Sequence, residues 1–258
     1  MSGRRTWVLM TAATLLAVLG ASVAAHARPA ARAAGGAPYL TSMIVGAGGR
    51  ILSPARFVSA AATSVSVRGR SCAVAAGTPL AVLVAMRSAG GPGFALRDYG
   101  RCNSSQASSG QLFVYSLGGQ TNRGQSGWEY KVNSVSGSTG AADTSGPQGN
   151  GRRLSSGARV LWFWCEAAAG GCQRTLEVSP SSATVARGGQ LSVTVTGYDN
   201  EGRGSPVAGA IVTLGSDFAS TGTHGRTTLI APAAGGRYQL TASRSGLVPS
   251  FPGTIVAR

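Results

Sequence analysis

Aromatic side chains are the residues of this chain best placed to do chemistry, and they gather in two short segments, Trp128 with Tyr130 and Trp162-Phe163-Trp164. Along an extended chain the period of two puts Trp128, Tyr130 and Val132 on one side of a strand. It puts Val160, Trp162 and Trp164 on one side of another, with Leu161 and Phe163 on the reverse. Rings on an open sheet face offer flat apolar area at small rotamer cost, which suits a sugar ring or the edge of a corrin. Lys131, Arg152 and Arg153 could flank such a platform. The same pattern builds an ordinary core if a helix and a long loop cover both faces, and the three cations are then solvated surface charges.

Bond-making groups are sparse. Beyond the N-terminal segment the sole histidine is His224, and its Thr-His-Gly setting reads as a turn. No His or Cys pair has zinc-ligand spacing. Gly46-Ala47-Gly48-Gly49 lacks the Lys and Ser/Thr of a phosphate cradle. Asp98, Glu129, Asp143 and Glu166 are too dispersed to pair by sequence alone. Asp199-Asn200-Glu201-Gly202 reads as a hairpin turn, since the other ligands of a calcium loop are missing. Neither catalysis nor a cofactor is expected, an extracellular hydrolase with an unrecognised site being the alternative from another class.

Residues 1–27 have the form of an export signal: Arg4 and Arg5, the apolar run from Trp7 to Val23, and the small-residue site Ala25-His26-Ala27. The expected product is a mature chain without a transmembrane segment, secreted and in reach of the cell wall. The Arg pair fits a general or a twin-arginine export route equally well. Thr254 to Arg258 carry no sorting motif or apolar tail, so no covalent anchor is expected. Four Cys in an exported chain imply two disulfides. Three connectivities are open, of which the sequence-local one, Cys72 with Cys102 and Cys165 with Cys172, is preferred.

Of the 23 basic and 8 acidic residues, 14 and 4 lie between positions 28 and 173. Such a surface attracts acidic wall polymers, anionic glycans or lipid head groups through fields that salt weakens. Export argues against nucleic acid. Arg outnumbers Lys by 22 to 1 in a chain rich in Ala and Gly, so coding bias accounts for the same excess.

The elements that must carry the rings follow from periodicity. Residues 28–50, rich in Ala, Gly, Pro and Arg, read as a flexible linker. Thr63 to Val67 alternates as a strand, and Thr78-Pro79 opens a helix whose buried stripe is Leu80, Leu83, Val84 and Met86. Further strands are expected at Leu112–Leu117, Trp128–Val132 and Arg159–Cys165, with a long Gly- and Ser-rich loop from 134 to 156. A boundary near 173 separates this block, 51–173, from 174–258, where short alternating segments without helical periodicity predict an immunoglobulin-like β-sandwich. Tyr238 could form a tyrosine corner there.

The run Gly127-Trp128-Glu129-Tyr130-Lys131-Val132-Asn133, with Leu154-Ser155-Ser156-Gly157-Ala158-Arg159-Val160-Leu161-Trp162 downstream, resembles the transcobalamin-like C-terminal domain family. Ala158 stands where that family often has an acidic residue. The resemblance covers about residues 60–173 and implies a small β-grasp-like α+β domain, its sheet packed on the Thr78 helix. Taken literally it implies a corrinoid (cobalamin) ligand, although carriers of that kind hold it against a large helical domain with no counterpart here. Residues 207–212, 223–226 and 236–242 resemble a bacterial immunoglobulin-like surface module. The expectation is a mainly β, non-catalytic binding or adhesion protein for a glycan or wall polymer, with Trp128, Tyr130, Trp162 and Trp164 as binders.

Overall fold

A computed structural model describes residues 36–167 and 171–258; the segment expected to be an export signal and the first part of the expected linker lie outside them. The described residues belong to one compact unit, in which two successive sets of strands build separate sheets; the first set, the β-grasp domain, runs β1 (Tyr39–Val45), β2 (Ile51–Ser59), β3 (Thr63–Val67), β4 (Arg70–Val74), α1 (Pro79–Ser88), β5 (Phe94–Asp98), β6 (Leu112–Leu117), β7 (Gln120–Thr121), β8 (Gly127–Val132), β9 (Val135–Ser136) and β10 (Arg159–Cys165). Its main sheet has the order β2-β1-β10-β8-β9, with β1 parallel to β10 and the other pairs antiparallel. A hairpin, a crossing helix and a parallel return beside the first strand make this a β-grasp sheet.

The expected linker is corrected here. Residues 39–45 are not flexible but form β1, which lies between β2 and β10. Leu40, Ser42 and Ile44 join the helix-side layer while Met43 and Val45 are buried on the reverse. A strand covered on both faces shows no polar alternation, so its period is silent in the sequence.

Helix α1 begins where Thr78 Oγ1 accepts a hydrogen bond from Ala81 N (3.3 Å) and Pro79 occupies the first turn. Leu80, Leu83 and Met86 are fully buried against Leu40, Ile44, Val160 and Trp162; Val84, assigned to that stripe, is only partly covered. Thr78→Ala should destabilise the domain by about 1 kcal/mol. Chemical denaturation checks it through a lower midpoint at unchanged slope.

Two smaller sheets flank the main one, the β3–β4 hairpin and β5-β6-β7. The bridges are Cys72–Cys102 and Cys165–Cys172, the sequence-local pairing.

The second domain contains β11 (Thr175–Pro180), β12 (Thr184–Val185), β13 (Gln190–Tyr198), β14 (Gly204–Pro206), β15 (Ile211–Leu214), β16 (Asp217–Ser220), β17 (Arg226–Ile230), β18 (Gly236–Ser243) and β19 (Gly253–Ala257). One sheet is built around β13, which pairs with β11, β14 and β17; the other has the order β12-β19-β18-β15-β16. Leu191, Val193 and Val195 from the first sheet meet Val212, Leu214, Leu240 and Ile255 from the second in a single core, so each strand buries alternate residues as a sandwich requires. Tyr238 Oη donates to Ala234 O (2.9 Å), the corner-like bond expected of it.

Candidate functional site

Burial decides the fate of the expected aromatic platform. Trp128, Tyr130, Trp162 and Trp164 are 1–5 % exposed and belong to the core that includes α1. Trp128 packs edge-on against Trp164 at 5.8 Å, and Tyr130 lies tilted against Trp162 at 5.4 Å. Trp128 Nε1 donates to Gln120 O (2.8 Å) and Tyr130 Oη to Thr139 O (2.9 Å), tying the rings to the chain around them. Burial raises the Tyr130 phenol above its ordinary range and keeps it a donor. No flat face remains for a sugar ring or a corrin edge, so their assignment as surface binders is corrected.

The reverse of the sheet is closed as well. Met43, Val45, Leu161, Phe163 and Cys165 cluster with Val248 of the second domain, and Phe251 packs on the same group. Lys131, expected beside the platform, points into this interface and is fully buried. Its Nζ donates to Asp199 O (2.6 Å), Tyr198 O (3.1 Å) and Thr175 Oγ1 (3.3 Å), all in the second domain. Burial pushes its ammonium down to about 8, against the upward pull of Asp199 and Glu201. Ser136 N donates to Asn200 O (2.9 Å) and Arg159 pairs with Glu177 at 2.8 Å across the same junction. Arg152 and Arg153 are exposed on the long loop, where Arg153 Nε donates to Thr144 O (3.2 Å) and so braces the loop itself. They do not flank the rings as a pair with Lys131, which lies in the junction.

Two aromatic surfaces are open: the stacked pair Tyr39 and Phe57 on β1 and β2, with centroids 5.5 Å apart, and a cluster on the outer side of β5 and β6. Leu112 and Val114 of β6 face the core, which turns Phe113 outward; the half-buried Tyr115 sits at the irregularity in the β5–β6 register, beyond which Leu117 is again buried. A register shift between Ala95 and Leu96 sets Arg97 opposite Phe113. The Tyr99 and Phe113 rings are 66 % and 41 % exposed with centroids 6.1 Å apart, and the Arg97 guanidinium lies 4.7 Å over the Tyr115 ring. Asp98 shapes the turn that presents Tyr99: its carboxylate accepts from the backbone N–H groups of Gly100, Arg101 and Cys102 and from Arg70. The alternation Leu-Phe-Val-Tyr already marked Phe113 and Tyr115 as one face of a strand. What it lacked was the position of Tyr99, which a turn and a disulfide bring alongside.

No protein-family model matches the chain, and no curated protein matches it. Among solved structures it is similar to the D00-D0 domain of Intimin (14 % identity, 57 % of this chain and 90 % of that one, TM-score 0.25). It is also similar to the D0-D1 domain of Intimin (13 %, 84 % and 96 %, TM-score 0.24) and to the Yersinia pseudotuberculosis adhesin InvE (13 %, 84 % and 58 %, TM-score 0.25).

Three of the four carboxylates considered for catalysis have structural partners, and burial raises the fourth, Glu129, above the ordinary carboxylate range. Asp98 organises its turn, Asp143 Oδ1 accepts from Ser145 N and Oγ, and Glu166 accepts from Gly48 N. Asp199 Oδ1 accepts from the N–H groups of Glu201 and Arg203, closing a turn of the predicted kind, and His224 sits in a turn before β17. Among the described residues no group of three His, Cys, Asp or Glu could hold a metal ion, and no helix is long and apolar enough to cross a membrane.

Proposed function

We propose that this is an exported, non-catalytic binding protein whose first domain holds an acidic glycan or wall polymer on the β5–β6 face. The observation that carries it is the open aromatic and arginine cluster of Arg97, Tyr99, Phe113 and Tyr115, in a basic domain. Rings supply apolar planes for sugar rings, and Arg97 supplies a charge that is held in place by stacking. The paired disulfides support an oxidising compartment and hence use of the export signal. The β-grasp strand order supports the resemblance to transcobalamin-like C-terminal domains, without the open ring face that a corrinoid would need. The sandwich acts as a rigid mount, since it covers the reverse of the β-grasp sheet.

The test is retention of the mature protein on purified carboxylate- or phosphate-bearing wall polysaccharide across a salt series. Wild type should bind and weaken as salt rises. The double variant Tyr99→Ala, Phe113→Ala should bind about tenfold more weakly, and Arg97→Ala should flatten the salt dependence. Equal retention of all three proteins would refute the assignment of this face.

A further inference from the structure

The β3–β4 hairpin and β5 lie beside each other without a shared ladder, and a cleft of about 440 Å³ separates them. Ser64 to Arg68 form one wall and Phe94 to Leu96 the other, with the Arg87 guanidinium, from the last turn of α1, 5.8 Å over the Phe94 ring. Val65 and Val67 pack on the core, so Ser64 and Ser66 turn outward. The lining holds two arginines and no carboxylate. Asp98, at the end of β5, is occupied by Arg70 and by three backbone N–H groups.

Arg68 stands where an arginine is unfavourable. It opens the two-residue turn between the ladder partners Val67 and Arg70, with φ 50°, followed by Gly69 at 79°. Such a turn favours Asn and Gly, because a longer side chain is strained in the left-handed region. Among the described residues neither Arg68 nor Arg87 forms an ion pair that would repay its position. The two cations stand towards opposite ends of the cleft. Arg87 lies at Phe94, where β5 begins; Arg68 follows Val67, whose partner Arg70 reaches Asp98, where β5 ends. Along Ser64–Arg68 the cleft runs for about 13 Å, from the rise of a strand. Like charges at the two ends of a concave site attract a ligand that is negative at more than one point.

We propose that the β3–β5 cleft holds two acidic groups, carboxylates or phosphates, of one linear wall polymer, one at Arg68 and one at Arg87, with the Ser64 and Ser66 hydroxyls between them. This rests on the glycan reading above and assigns where the polymer's negative charge is held. β5 is a wall of the cleft and also carries Arg97 of the open aromatic face, so one chain can pass from the rings into the cleft. An acidic peptide is the competing ligand, and the rings beside the cleft favour the sugar chain.

The probes are hexamers of galacturonate, of glycerol phosphate and of glutamate, with the galacturonate and glycerol phosphate monomers, in calorimetric titrations of the mature protein. Wild type should bind one of the first two hexamers about tenfold or more tightly than its monomer, and about tenfold more tightly than the glutamate hexamer. Arg68→Asn and Arg87→Gln should each weaken that binding about tenfold, whereas Arg152→Gln, which removes the same charge from the long loop, should change it by less than about twofold. Asn suits the left-handed turn, so Arg68→Asn should match or exceed the wild-type thermal midpoint, which separates loss of binding from loss of fold. Unchanged affinity in both cleft variants, or an equal loss in Arg152→Gln, overturns the assignment. So does a glutamate hexamer bound as tightly as the other two, or binding of none of the three. The Tyr99→Ala, Phe113→Ala variant on acidic polysaccharide judges the aromatic face separately, since it leaves Arg68 and Arg87 in place.

Discussion

Replacing Cys72 and Cys102 together by Ala is expected to lower the thermal midpoint by about 8 °C, the equivalent of roughly 3.5 kcal/mol for a bridge closing a 30-residue separation. The size follows from what the bridge joins. The β3–β4 hairpin shares no ladder with β5-β6-β7 among the described residues. Besides the bridge, Arg70–Asp98 at 3.0 Å, Ala73 N donating to Asn103 O and Ser109 Oγ donating to Ala73 O connect the two pieces. Arg70 is half exposed, so its ion pair adds little by itself. The bridged turn also positions Tyr99, and retention on polysaccharide should fall with the midpoint. Cys165–Cys172 spans only seven residues, and its removal should cost about 2.5 kcal/mol. Scanning calorimetry of the two double variants checks the order. A midpoint within 2 °C of wild type for the Cys72, Cys102 variant would show that the two small sheets hold together without the link.

Stability should rise from pH 8 to 10 because of one residue, Lys131, before the buried Tyr130 phenol begins to oppose it. Lys131 is lowered to about 8 in the folded protein, chiefly by burial, from an ordinary value of 10.5. Between those values the unfolded chain holds a proton that the folded one has released, so the free energy of unfolding increases with pH. The neutral amine's contribution is complete above 10.5 and is lost as pH falls through 8. A shift of this size corresponds to about 3 kcal/mol across the window. Lys131→Met should abolish the rise, leaving the Tyr198 and Asp199 carbonyls without this donor and loosening the β13–β14 turn. Urea titrations at pH 7, 8, 9 and 10 on both proteins measure it. Parallel pH profiles for wild type and Lys131→Met would show that the ammonium is not confined at the junction.

Much of the fold was legible locally. The Thr78-Pro79 start of α1, the strand runs at 112–117, 128–132 and 159–165 and the sandwich pattern beyond 174 all depend on neighbours within a few residues, and each formed. Three disulfide pairings were open in the sequence, and the one preferred for its short loops is the one present. β1 was not legible, because Tyr39–Val45 is covered on both sides and carries no alternation.

For the candidate site the division has one physical cause. Periodicity assigns Trp128, Tyr130, Trp162 and Trp164 to one side of their strands and Lys131, Leu161 and Phe163 to the other. It carries no information on whether either side meets water. That was decided when α1 covered the rings and the second domain covered the reverse, drawing Lys131 in with it, through contacts such as Lys131 with Asp199, 68 positions apart. The same long-range packing leaves Tyr99, Phe113 and Arg97 outside, on a sheet too small to be covered. Sequence by itself determined the strands, the helix and which residues share a side; only tertiary packing, which brings distant segments together to remove apolar area from water, chose the side left open.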